Sequence, residues 1–84
     1  MKQAEFVTLL RAEAVEQIWI VRDARDGADG WAVHVSAKGF RIGGDTRYWI
    51  EPARADVPRL WASLDTLHAW LMSIGWDGPA TITP

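Results

Sequence analysis

Residues 17–36 carry the sequence QIWIVRDARDGADGWAVHVS, and this stretch decides the fold. Residues 17–22 are rich in β-branched and aromatic side chains, which indicates a strand. Residues 31–36 alternate between large apolar side chains and small or polar ones, which is typical of a half-buried antiparallel strand. Residues 23–30 contain two Asp-Gly pairs, the strongest short-range signal for a hairpin. The stretch therefore predicts two antiparallel strands joined by a turn over residues 23–30.

A helix and three shorter strands are predicted around this hairpin. Residues 3–15 place apolar side chains on one face at helical spacing, so they predict a first helix. Residues 47–51 (RYWIE) predict a third strand, and residues 52–58 begin and end with proline, which indicates a loop. The two shortest elements that we expect are edge strands at residues 59–61 and 81–83.

The second helix has sequence signals at both of its ends. Ser63 is a favourable N-cap, and Asp65 in the first turn complements the helix dipole. Gly75 stands where a left-handed residue would end the helix, and Trp76 after it can fold back on Leu71, as in a Schellman ending. One apolar stripe runs between these ends and consists of Leu64, Leu67, Leu71 and Ile74.

Together these elements predict a single domain, residues 1–84, of the α+β class. The predicted order is α-β-β-β-(β)-α-β, with two helices packed on one face of a small antiparallel sheet. Domains of this size usually need a disulfide or a metal to supplement a small core. The chain has no cysteine, but its six tryptophans can bury a large apolar surface instead.

Charge and hydropathy exclude several classes of partner. Nine basic and eleven acidic residues give a net charge of −2, which argues against a dedicated nucleic-acid binder. The acidic Asp65 also argues against a double-stranded-RNA-binding domain, which has a similar element order but lysines at the start of its second helix. The sequence shows neither a secretory signal nor the roughly 20 apolar residues of a membrane span. We therefore expect a cytoplasmic protein with no membrane partner and no direct, sequence-specific contact to nucleic acid.

No residue pattern predicts catalysis or metal binding. Asp23, Asp26 and Asp29 are spaced three apart, unlike the ligands of a calcium-binding EF-hand loop. His34 and His68 do not have the spacing of a zinc site. The serines lie outside the motif of a nucleophile elbow. We therefore expect no catalytic residue, no metal and no cofactor, and hence a protein that is not an enzyme.

The candidate site lies on the face of the sheet opposite the helices. If the apolar side of each strand faces the helices, strand alternation places Trp19, His34, Arg47 and Trp49 on the other side. Tryptophan and arginine are enriched in the hot spots of protein interfaces, so we predict that this face binds another protein. Two alternatives stay open: the face forms a homodimer, or the loop at residues 52–58 covers its tryptophans.

Two segments carry a family resemblance. Residues 18–23 (IWIVRD) follow a short helix, and residues 59–65 (RLWASLD) lead into a helix that ends at Gly75. This arrangement resembles the small ParC-type partition-associated proteins of bacterial plasmids, over most of the chain. The resemblance implies a non-enzymatic accessory role in plasmid partition or maintenance, with a partition ATPase as the protein partner beside a DNA-binding protein.

A second interpretation starts from the acidic residues. Small, mildly acidic domains without an active site are also typical of anti-CRISPR proteins, the inhibitors from mobile genetic elements that block a host nucleic-acid-binding effector complex. Such inhibitors often present carboxylates to a basic groove. On this alternative, Asp23, Asp26 and Asp29 would bind a subunit of the host effector.

Overall fold

A computed structural model describes residues 1–25, 27–39 and 47–83 of the chain. Within these residues the chain forms two helices and four strands. In chain order they are α1 (Gln3–Arg11), β1 (Val15–Arg25), β2 (Ala28–Ala37), β3 (Tyr48–Trp49), α2 (Leu64–Ser73) and β4 (Thr81–Thr83). The predicted α+β class and the order of its main elements are confirmed.

The four strands form one sheet in the order β3-β2-β1-β4. The β1–β2 and β2–β3 pairs are antiparallel, as predicted, whereas β4 runs parallel to β1. Since β1–β2 and β2–β3 are both antiparallel, β3 has the same direction as β1. The segment that contains α2 then leads from β3, at one edge of the sheet, to β4 at the other edge. Because such a crossover joins parallel strands, β4 has the same direction as β3 and β1. The sheet is therefore mixed.

The β1–β2 hairpin is longer, and its turn shorter, than the sequence predicts. Arg25 pairs with Ala28, so only two residues remain for the turn. One of them, Gly27, has a φ of +82°, the left-handed conformation that two-residue hairpin turns require. The other, Asp26, lies outside the described residues. The second Asp-Gly pair lies within β2, where a Cβ on Gly30 would stand 2.7 Å from the backbone oxygen of Trp61.

The outer edge of β2 is completed by short contacts rather than by long strands. The predicted third strand at residues 47–51 is reduced to β3, although the Ile50 amide still donates to the Val33 carbonyl at 2.9 Å. The predicted strand at residues 59–61 is a single bridge, in which Trp31 and Trp61 exchange two backbone hydrogen bonds of 2.9 Å. Two large aromatic residues thereby lie side by side at one end of the sheet.

Both helix ends have clear structural causes. The first helix ends at Arg11, four residues before the predicted end, because Glu13 adopts a left-handed φ of +56° and turns the chain into β1. The second helix begins as predicted, with the Thr66 amide donating to the Ser63 hydroxyl at 3.2 Å. It also ends as predicted: Gly75 has a φ of +100°, and the Trp76 amide donates to the Leu71 carbonyl at 2.9 Å, the long bond of a Schellman motif.

The hydrophobic core lies between one face of the sheet and the two helices. Strand alternation predicts that seven residues face the helices, namely Ile18, Ile20, Trp31, Val33, Val35, Tyr48 and Ile50. Five of them are buried, whereas Trp31 and Tyr48 are half-buried. Their burial confirms which side of the sheet the helices cover, and therefore which side is left open. The same cluster contains helix and loop residues, namely Phe6, Trp61, Leu67 and Leu71.

Candidate binding surface on the open sheet face

A row of side chains crosses the open face of the sheet. Trp49 of β3 is the register partner of His34 of β2, and His34 is the partner of Trp19 of β1. Trp19 is in turn the partner of Thr81 of β4. Since paired residues project to the same side of a sheet, the three predicted site residues on these strands lie next to one another.

Arg47 joins this row from the residue before β3. Its Cζ atom lies 4.2 Å from the centroid of the Trp19 ring, within the range of a cation–π interaction. Its Nε donates a hydrogen bond of 3.2 Å to Nδ1 of His34. The arginine therefore crosses β2 to reach β1, and Nδ1 of His34 is the acceptor of its hydrogen bond. We call Trp19, His34, Arg47 and Trp49 the tryptophan–arginine surface.

Trp49 is the apolar part of this surface that solvent reaches most easily. All six tryptophans lie within the described residues, and Trp49 is the one classed as exposed, at 40%. Its indole Nε1 donates to Oε2 of Glu51 at 3.1 Å, which orients the ring. The loop at residues 52–58 thus leaves the outer tryptophan accessible. Residues 49 and 51 of a strand project to the same side, so the contact between Trp49 and Glu51 could have been predicted from the sequence.

The N-terminal residues hold the edge of the surface in place. The N-terminal amine donates to the Trp49 carbonyl at 3.1 Å, and the Glu51 amide donates to the Met1 carbonyl at 2.8 Å. Lys2 reaches over to Ala55 and Asp56, with Nζ 2.9 Å from the carboxylate of Asp56. This contact lowers the pKa of the Asp56 carboxyl and raises that of Lys2. The backbone that carries Trp49 is therefore paired on both sides.

The alternative acidic site is not gathered into one patch. The Asp29 carboxylate is bound by Arg22 through two hydrogen bonds of 3.0 and 2.6 Å, and this contact lowers the pKa of Asp29. Asp29 projects to the same side of the sheet as Trp31, which is the helix side. Asp23 projects to the same side as Val21, which is the open side. Asp26 lies outside the described residues. The two described aspartates therefore project to opposite faces of the hairpin.

Other functional groups are sparse in the part of the chain that the structure describes. His34 lies on the open face, and His68 lies on α2 on the other side of the sheet. Across residues 1–25, 27–39 and 47–83, no three His, Asp or Glu side chains are grouped as metal ligands would be. In the same residues, neither helix has the length and apolarity needed to cross a bilayer.

Two features on the helix side were not predicted from the sequence. One is a stack in which the guanidinium of Arg59 lies over the rings of Trp61 and Trp70. The other is an apolar groove between α2 and β4. Neither has a local signal: Arg59, Trp61 and Trp70 lie within 12 residues, and α2 and β4 are consecutive elements, but both features depend on how these segments pack on the sheet.

Comparison of this chain with protein-family models, with curated proteins and with solved structures finds no match.

Proposed function

We propose that this chain is a non-enzymatic protein-binding module that binds its partner through the tryptophan–arginine surface. The observation that carries the proposal is the row of Trp19, His34 and Trp49 on adjacent strands, with Arg47 stacked across it. Tryptophan and arginine are the side chains most enriched in interface hot spots. An open sheet face that presents both at adjacent positions has the composition of a protein-binding surface.

The side chains of the tryptophan–arginine surface are already ordered in the unbound protein, which also supports binding. Arg47 is positioned by two contacts, the Trp19 ring and His34 Nδ1, and Trp49 is oriented by Glu51. Side chains that are already held lose less conformational entropy on binding. Because an arginine guanidinium can form a pair of hydrogen bonds with a carboxylate, we expect the partner to place an acidic group against Arg47.

The family resemblance supplies the biological setting of the proposal. In that setting the chain is an accessory protein of plasmid partition or maintenance, and its partner is the partition ATPase. The alternative, an anti-CRISPR-like inhibitor that binds a host effector subunit, would rely on the acidic residues of the hairpin. The pairing of Asp29 with Arg22 favours the first setting, because a neutralised carboxylate attracts a basic groove less strongly.

Affinity purification from a native host tests the proposal. The affinity tag belongs at the C-terminus, because the N-terminal amine is hydrogen-bonded to Trp49. Parent, Trp49→Ala, Arg47→Glu and Val57→Ala proteins are compared, with co-purifying proteins identified by mass spectrometry. Val57 is the matched control, since it is a 53% exposed apolar residue in the loop at residues 52–58.

The proposal predicts a partner that the parent and Val57→Ala both retain and that Trp49→Ala and Arg47→Glu both lose. A partition ATPase with this pattern supports the plasmid setting, whereas a CRISPR effector subunit that Trp49→Ala and Arg47→Glu both retain supports the alternative. A partner that all four proteins retain equally would show that the open face is not the binding surface.

A further inference from the structure

A groove with a cavity of about 350 Å³ opens between α2 and β4 on the helix side of the sheet. Ile82 of β4 is the register partner of Ile20, which is buried beneath the helices, so both project to the same side. The groove is therefore on the opposite side of the sheet from the tryptophan–arginine surface. Its apolar walls include Ile20, Leu64, Leu71, Trp76 and Ile82.

The helix layer does not cover β4 completely. Ile82 is 51% exposed and Met72 on α2 is 53% exposed, and both line the groove. Ile20, one strand further in, is buried. An apolar side chain placed in the groove would remove further surface of Ile82 and Met72 from water, which is favourable.

The strand beside the groove has a free edge in the described sheet. β4 is the outermost strand of the order β3-β2-β1-β4 and pairs with β1 on one side. The strand is short, but its three residues, Thr81, Ile82 and Thr83, are β-branched, uncharged and exposed, and no charge or proline within β4 blocks further pairing. An extended segment can pair with this edge and place alternate side chains over the groove.

The charges at the groove indicate what that segment contains. Asp65 at the start of α2 and Asp77 after its end both line the groove, together with His68, and no lysine or arginine is among the described residues that do. Two carboxylates beside an apolar groove favour a cationic group on the occupant. A second copy of this chain would bring the same carboxylates to the same edge, and their repulsion opposes such a dimer.

We propose that the α2–β4 groove is a second binding surface, for an extended segment of a partner protein that carries an apolar side chain two residues away from a lysine or arginine, so that both project to the same side. The segment adds a strand to β4, its apolar side chain enters the groove, and its basic group meets Asp65 and Asp77. This surface is independent of the tryptophan–arginine surface.

Nuclear magnetic resonance with two synthetic peptides tests this inference. One peptide, Lys-Thr-Leu-Thr-Lys, places its leucine and both lysines on the same side of an extended strand, and the matched peptide has glutamate in place of each lysine. We expect the basic peptide to shift the backbone amide signals of Thr81, Ile82 and Thr83 and of groove residues such as Leu64, and the acidic peptide to leave them unchanged. Removing one rim carboxylate, with Asp65→Asn or Asp77→Asn, should weaken binding by about fivefold.

Trp49→Ala serves as the control in these titrations. The variant should bind the basic peptide as the parent does, which separates this inference from the proposed function. The inference is overturned if both peptides shift the groove signals equally, if the shifts appear at Trp19 and Trp49 instead, or if neither peptide binds. It is also overturned if sedimentation reveals a dimer that Ile82→Asp dissociates, because a second copy would then occupy the edge.

Discussion

Two arginine–tryptophan stacks lie on opposite faces of the sheet. On the open face, the guanidinium of Arg47 lies 4.2 Å from the centroid of the Trp19 ring. On the helix side, that of Arg59 lies 4.5 Å from the ring of Trp61 and 5.4 Å from that of Trp70. The pairs have the same chemistry, but Trp61 is only 5% exposed.

Their surroundings give the two stacks different roles. Arg59 donates to Oε1 of Gln3 on α1 at 2.9 Å, and the ring of Trp61 lies 4.9 Å from that of Trp70 on α2. This stack therefore connects both helices to the sheet. Neither of the described helices lies over the Arg47 stack, and its neighbour Trp49 is exposed. An arginine stacked on a tryptophan therefore indicates neither a core nor a binding site by itself. Whether other elements cover the pair determines which of the two roles it can have.

The largest expected effect is the loss of the covered stack. Trp61→Ala should lower the free energy of unfolding by about 3–5 kcal/mol, as is usual for a buried aromatic residue. Since Trp61 Nε1 has no hydrogen-bond partner among the described residues, the loss would report packing rather than a broken hydrogen bond. Urea denaturation followed by circular dichroism measures it. A loss below about 1 kcal/mol, the range of surface substitutions, would remove the distinction between the two stacks.

The next effect is expected in binding rather than in stability. If Trp49 is the interface hot spot that we propose, Trp49→Ala should weaken partner affinity by about 2 kcal/mol, which is roughly 30-fold. Calorimetry with the purified partner measures this change, and urea denaturation should show a much smaller change in stability. Arg47→Glu should weaken binding further to an acidic partner and strengthen binding to a basic groove. If Trp49→Ala unfolds the domain, the open face belongs to the core.

A substitution away from both stacks shows how stability alone affects binding. Gly75→Ala should lower the free energy of unfolding by about 1 kcal/mol, because Gly75 has a φ of +100° and an added Cβ would meet no atom within 4 Å. The cost is therefore conformational. Thermal unfolding should show a midpoint lower by about 4–8 °C. Partner affinity should be unchanged, and an unchanged midpoint would contradict the observed end of α2.

The smallest effect is expected for a third stack, that of Arg22 on Trp31. The Arg22 guanidinium lies 5.2 Å from the centroid of the Trp31 ring and also binds the Asp29 carboxylate. Arg22 lowers the pKa of Asp29 below its ordinary value. The pair therefore stabilises the fold above the unfolded-state pKa of about 4. This contribution is lost as the pH falls through the lower folded-state pKa.

Thermal unfolding between about pH 5 and pH 2 tests this third stack. Asp29→Asn should remove a small part of the fall in melting temperature that the parent shows on acidification. The effect is small because solvent screens the exposed pair. Identical slopes for the two proteins would mean that the Arg22–Asp29 contact does not contribute to stability.

Local signals predicted most of the fold. The Asp-Gly pair at residues 26–27, the N-cap Ser63 and the helix-ending Gly75 each act through neighbours a few residues away. Long-range contacts were not predictable in the same way. The left-handed φ of Glu13, which shortens α1, has no residue signature, and the parallel direction of β4 follows only from where α2 crosses the sheet.

The candidate site likewise has features that the sequence predicted and features that it did not predict. Alternation along the strands was enough to predict that Trp19, His34 and Trp49 share the open face. The contact of Arg47 with Trp19 depends on a long side chain crossing a whole strand, and no spacing rule encodes such a contact. The separation of Asp23 and Asp29 was missed because the turn was predicted to be eight residues long, whereas the strands continue past both.

Met1 pairs with the segment around Trp49, and β4 pairs with β1, and these two long-range pairings have a consequence for the order of folding. The β1–β2 hairpin joins neighbouring segments. By contrast, the N-terminal amine reaches a residue 48 positions away, and Thr81 of β4 pairs with Trp19 of β1, which is 81 − 19 = 62 positions away. Loop closure makes such distant contacts slow to form. We expect the hairpin to form first and both outer edges to assemble late. Pulse-labelled hydrogen exchange should then protect the amides of β1 and β2 before those of β4 and residues 49–51.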